Sequence, residues 1–119
     1  MINPSPRSPA ASRPLPQGER GNSVRGEASV RVGGAELVLR PSFAALVAAE
    51  NELGSLFAVV ERAAAGGLML GEIVALFWHC LVVREGVTRE MLGEAVVSVG
   101  LSGVTPALKT LLRQILSGA

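Results

Sequence analysis

The sequence predicts an α+β domain: an N-terminal β-hairpin packed on a bundle of four to five short helices and preceded by a disordered tail. Three observations carry this reading. Five of the seven prolines lie within Met1–Pro16, mixed with Ser, Ala and Arg. Glu27 to Arg40 alternates small or apolar residues with polar ones around Gly33-Gly34. Beyond Pro41, apolar residues recur at three- and four-residue spacing between Ser, Thr and Gly, which punctuate helices.

Composition narrows the class. The 119 residues are enough for one domain. At 49% hydrophobic and 18% charged, the chain as a whole is not disordered. Aromatics are 3% and Tyr is absent, so the core must be built from Leu, Val and Ala. A net charge of +1 lacks the clustered basic excess of a nucleic-acid binder. The single Cys excludes an intramolecular disulfide and is compatible with a reducing compartment.

Residues 1–24 read as the disordered tail, because Pro removes amide donors and little apolar surface is present to bury. No apolar run there resembles a secretory signal. The run SRPLPQGERG resembles translated intergenic repeat sequence, so the natural chain is expected to begin near Asn22–Val24. Residues 25–117 form the single predicted domain. Its best membrane candidate, Leu68–Val83, is shorter than the roughly 20 residues a bilayer needs and contains Glu72 and His79. A charge at bilayer depth costs about 2.5–3.5 kcal/mol, so a buried helix is expected and no membrane.

The elements follow in order. Two strands, Glu27–Val32 and Ala35–Arg40, flank a Gly-Gly turn able to take positive φ, with Leu37 and Leu39 facing one way. Ser42 is placed to cap a helix over Phe43–Leu53, which stops at Gly54. Ser55 caps Leu56–Ala65, and Gly66-Gly67 breaks it. A third helix is predicted over Leu70–Arg84, with Val74, Phe77, Trp78 and Leu81 as its buried side. Thr88 caps a fourth, which presents Met91, Leu92, Ala95, Val96 and Val99. Gly100–Gly103 reads as a linker. Thr105-Pro106 then opens a last amphipathic helix with Pro in its first position. Leu108, Leu111, Leu112, Ile115 and Leu116 share one face of it, and Lys109, Thr110, Arg113 and Gln114 the other.

Few residues suggest chemistry. Trp78, His79 and Cys80 are the only Trp, His and Cys, and they are adjacent. Neighbours on a helix point about 100° apart, so His79 is badly placed to activate Cys80. One His and one Cys fall short of the three or four ligands of a zinc site. No catalytic residue, cofactor or metal is therefore assigned, and a small enzyme with a site near His79 is kept as an alternative. Glu72 and His79 lie on nearly one face of the third helix and read as a partly exposed stripe. Glu50 and Glu52 diverge on the first helix. Glu50 shares the face of Phe43, Leu46, Val47 and Leu53, and its expected role is a cap or salt bridge near the helix end. Gly33-Gly34 and Gly66-Gly67 lack the context of a phosphate loop.

Three segments carry a resemblance: VRGEASV, LRPSFAALVAAENELGSLFAVVERAAAGG and LMLGEIVALFWHCL. Within them stand Gly26, Glu27, Glu50, Leu53, Gly54, Glu61, Arg62, Glu72 and Ile73. On these residues the chain resembles, over about 25–115, the tail-assembly-chaperone-like proteins of gene transfer agents, the phage-derived particles of alphaproteobacteria. The similarity is weakest after Arg84, where relatives carry a glycine-rich stretch and this chain has Glu85-Gly86-Val87. The resemblance implies a non-catalytic, prophage-derived assembly protein that binds the tape measure protein before tail tube subunits polymerise. A structural tail tube component is the alternative it implies. Tail tube subunits are then possible partners, as is a second copy in a homo-oligomer. The implied location is the cytoplasm, or a virion-like particle if the chain is structural. The apolar face of the last helix (Leu108, Leu111, Leu112, Ile115, Leu116) and the Glu72–His79 stripe are the expected partner-binding residues.

Overall fold

A computed structural model describes residues 27–118. The expected tail and the expected start near Asn22–Val24 lie outside the described residues. Two antiparallel strands, β1 (Ala28–Val32) and β2 (Ala35–Leu39), are followed by five helices. These are α1 (Phe43–Leu53), α2 (Leu56–Ala64), α3 (Leu70–Cys80), α4 (Arg89–Val99) and α5 (Leu101–Ser117).

The hairpin is in the register its alternation requires. Ala28 pairs with Leu39, Val30 with Leu37 and Val32 with Ala35, which puts the apolar set on one face. Gly33 and Gly34 have φ of 58° and 85°, the two left-handed values of a tight hairpin turn. On the outer face the Ser29 hydroxyl donates to Glu36 at 2.7 Å. Two strands are marginal alone. Here α4 and α5 cover the inner face by packing on β1.

Helix α3 is the centre of the bundle. Ile73, Val74, Ala75, Leu76, Phe77 and Cys80 are all buried, with α1 and α4 packed against the helix. The facing side of α1 is small, with Ala45 and Ala49 buried, which permits close approach. Phe43, expected on an apolar face with Glu50, is instead 85% exposed. The core built on α3 also takes in Leu39, Leu92, Val96, Val104 and Leu111.

Three of the four expected side-chain caps form. Ser42 accepts from the Ala45 amide at 3.2 Å, Ser55 from Ala58 at 3.3 Å and Thr88 from Met91 at 3.0 Å. The fourth, Thr105, does not cap. It lies inside α5, where its hydroxyl donates to the Leu101 carbonyl at 2.7 Å.

Two boundaries differ from the sequence reading. Helix α3 ends at Cys80 and not at Arg84. Leu81 turns to extended geometry and bridges to Leu39, while Arg40 donates to the Cys80 carbonyl at 2.7 Å and Val82 to Val38 at 3.1 Å. The chain leaves the helix because the outer edge of β2 offers backbone partners that four more helical residues would forfeit. Consequently Trp78 is only half-buried, beneath the Arg84 guanidinium 5.2 Å from its ring centroid. The second difference is at α5, which begins at Leu101, so Gly100–Gly103 is no linker and Pro106 is interior. Gly100, at φ 93° and ψ 153°, turns the chain by 116° between α4 and α5 without a loop. Pro106 has no amide to offer Ser102, but Ser102 is exposed and water can reach that carbonyl.

Candidate functional site

The ionic groups are used at helix ends. Glu52, in the last turn of α1, accepts from Arg89 at the start of α4 at 2.6 and 2.9 Å. It also lies 2.8 Å from Nε2 of His79 near the end of α3. One carboxylate thus joins three helices. The hydrogen bond from Arg89, then that from His79, holds the Glu52 carboxyl down at about 2, from an ordinary 4.5. The same bond raises the Arg89 pKa. A carboxylate at a helix C-terminus and a guanidinium at a helix N-terminus each oppose their own helix dipole, and pairing offsets both.

Glu72 is engaged as well. It accepts from the Met69 amide at 3.0 Å, capping α3, and from Arg62 of α2. These bonds, the Met69 amide first, lower its pKa. Glu50 caps α2, accepting from the Leu56 amide at 3.1 Å. The Glu72–His79 stripe therefore meets two helices of its own chain, α2 through the Glu72–Arg62 pair and α1 through the contact of His79 with Glu52.

The surroundings of His79 place no base on a nucleophile. A groove of about 290 Å³ runs past Arg40, Ser42, His79, Cys80 and Arg84. Cys80 is buried, and that burial pushes its thiol up to about 11, with Arg84 opposing weakly. A thiol in that state is not a nucleophile near neutral pH. The Ser42 oxygen is occupied by the α1 amide. Among the described residues there is also no cluster of three or more His, Cys, Asp or Glu side chains able to hold a metal ion.

The apolar surface is more open. A trough of about 600 Å³ separates α2 from α5. Val60, Leu68, Ile73, Leu108, Leu112 and Leu116 supply its apolar lining, and Lys109 and Arg113 also line it. A smaller hollow of about 250 Å³, with Leu46, Phe57 and Ile115, adjoins it, with Val60 and Leu116 lining both. Phe57 is 78% exposed and Leu116 57%.

The expected partner-binding face of α5 is thereby divided. Leu108, Leu112 and Leu116 line the trough, and Ile115 the adjoining hollow. Leu111 is fully buried and belongs to the core. Sequence reading missed the role of Glu52, whose partners are 27 and 37 residues away. Only the reversed helix-end charges of Glu52 and Arg89 hinted at it.

These features define a small α+β domain whose surface offers apolar contact and in which Glu50, Glu52, Arg62, Glu72 and Arg89 stitch helices together. Residues 25–118, which include every described residue, match the family model described as "Phage tail tube protein, GTA-gp10". The chain belongs to this phage tail family of gene transfer agents. No curated protein and no solved structure matches it significantly. Among the described residues no single helix is long and apolar enough to cross a membrane.

Proposed function

We propose that the chain is a non-catalytic structural component of a phage-like tail, carried in the tail tube region of a gene transfer agent particle. The family match across the whole described domain carries this reading. The open α2–α5 trough supports it, as an apolar surface on which a neighbouring tail subunit can seat. The acting unit is the single domain of residues 25–117. In it Leu108, Leu112, Ile115 and Leu116 meet the partner, and Leu111, Glu72 and His79 hold the surface in shape. Deleting the gene should leave heads without complete tails by electron microscopy, with tails restored by the cloned gene. Normal tails in the deletion strain would end the proposal.

A second reading is a chaperone that binds the tape measure protein. The same trough favours it, because an open apolar channel suits transient cover of a long, aggregation-prone chain. Co-expression separates the readings. A chaperone forms a stable complex with the tape measure protein and raises its solubility, whereas a tail subunit leaves that solubility unchanged.

A further inference from the structure

We infer that the α2–α5 trough receives helix α4 from a second copy of this chain, in a head-to-tail contact. The inference deepens the structural reading above and rests on it. Its first ground is charge. Lys109 and Arg113 line the trough, and neither forms an ion pair among the described residues. On α4, Glu90 and Glu94 are exposed and likewise make no ion pair among the described residues.

The second ground is spacing. Lys109 and Arg113 are four residues apart on α5, as Glu90 and Glu94 are on α4. Four residues rise about 6 Å along a helix, so two helices laid side by side can form both pairs at once.

The third ground is apolar matching. α4 buries Leu92 and Val96 within its own chain. Its opposite face carries Glu90 and Glu94, bordered on one side by Met91 and on the other by Val97, which is 62% exposed. Laid in the trough, Met91 and Val97 meet Leu108, Leu112 and Leu116. A helix face with two central acids and an apolar side chain on each side thus fits an apolar channel that carries its two bases on α5.

No α4 residue lines the trough, so one molecule can offer its α4 to one neighbour and its trough to another. Such a heterologous contact repeats, closing into a ring or growing as a helical filament. Either outcome suits a subunit of a tube.

Sedimentation velocity of the full chain across a concentration series tests this. The wild type should form a series that extends beyond two copies. The exposed double reversals K109E/R113E and E90K/E94K should each weaken self-association at least about tenfold. Mixing the two variants should restore it, because each reversed trough then meets a reversed α4. Leu116→Asp, which leaves the basic rim intact, should give the same loss. Circular dichroism verifies that each variant is folded. A wild type that stays monomeric, a series that stops at two copies, or reversals that mixing does not rescue would each overturn the inference. A chain that assembles in this way yet is missing from purified particles would instead refute the structural reading of its function.

Discussion

Glu52→Gln keeps the shape of the side chain and removes the charge that joins α1, α3 and α4. The magnitude follows from the geometry. Arg89 donates twice to this carboxylate and His79 lies 2.8 Å away, holding its pKa near 2 against an ordinary 4.5. At about 1.4 kcal/mol for each tenfold change in proton affinity, the ceiling is roughly 3 kcal/mol. Glu52 keeps 38% of its side chain exposed, so solvent screening and the entropy of holding long side chains cut the net effect to about 1 kcal/mol. The sign is fixed by linkage. The folded-state pKa lies below the unfolded one, so the stabilisation is complete well above 4.5 and is lost as pH falls from 4.5 through 2. Urea unfolding of both proteins should show the variant about 1 kcal/mol less stable at about pH 7, with unchanged m. The gap should narrow through about pH 4 and close near pH 2. Equal stabilities at pH 7, or a gap independent of pH, would refute the linkage drawn between Glu52 and the helix ends.

Leu111→Ala should cost about 2–5 kcal/mol in thermal or urea unfolding, because Leu111 is fully buried, whereas Leu116→Ala should stay within about 0.5 kcal/mol. Gly100→Ala should destabilise by about 1–3 kcal/mol, since its φ of 93° and ψ of 153° form a backbone conformation that only glycine adopts easily. Cys80 should resist a thiol reagent in native buffer at about pH 8 and react at full rate only in denaturant, as burial keeps the thiol protonated. Fast reaction of the native protein would contradict its placement in the core.

What was legible in the sequence was local. The alternation around Gly33-Gly34 specifies the register in which Val30 faces Leu37. Ser42, Ser55 and Thr88 announce helix starts through side-chain oxygens that reach amides three residues on. The failures were non-local or turned on competing punctuation. Leu81–Arg84 continues a helical pattern, and only the unpaired edge of β2, some forty residues earlier in the chain, ends the helix at Cys80. Thr105-Pro106 has the form of a helix start, yet Gly100 opens the helix a turn earlier, and the exposed position of Ser102 makes the interior Pro106 tolerable. At the site, amphipathicity found the Leu108–Leu112–Leu116 line. It could not separate these from Leu111, because that depends on where β1 and α4 press against α5. Glu50 drew attention by sharing an apolar face, but Glu52 is the residue that joins three helices. Its pairing depends on three helix ends meeting in space, which no spacing rule encodes.

Quantitative mass spectrometry of purified gene transfer agent particles tests the central claim most directly. A structural tail component should be present at a fixed number of copies per particle, in constant ratio to the other tail proteins across preparations. Its absence from finished particles, with abundant protein in the producing cells, would contradict the structural account.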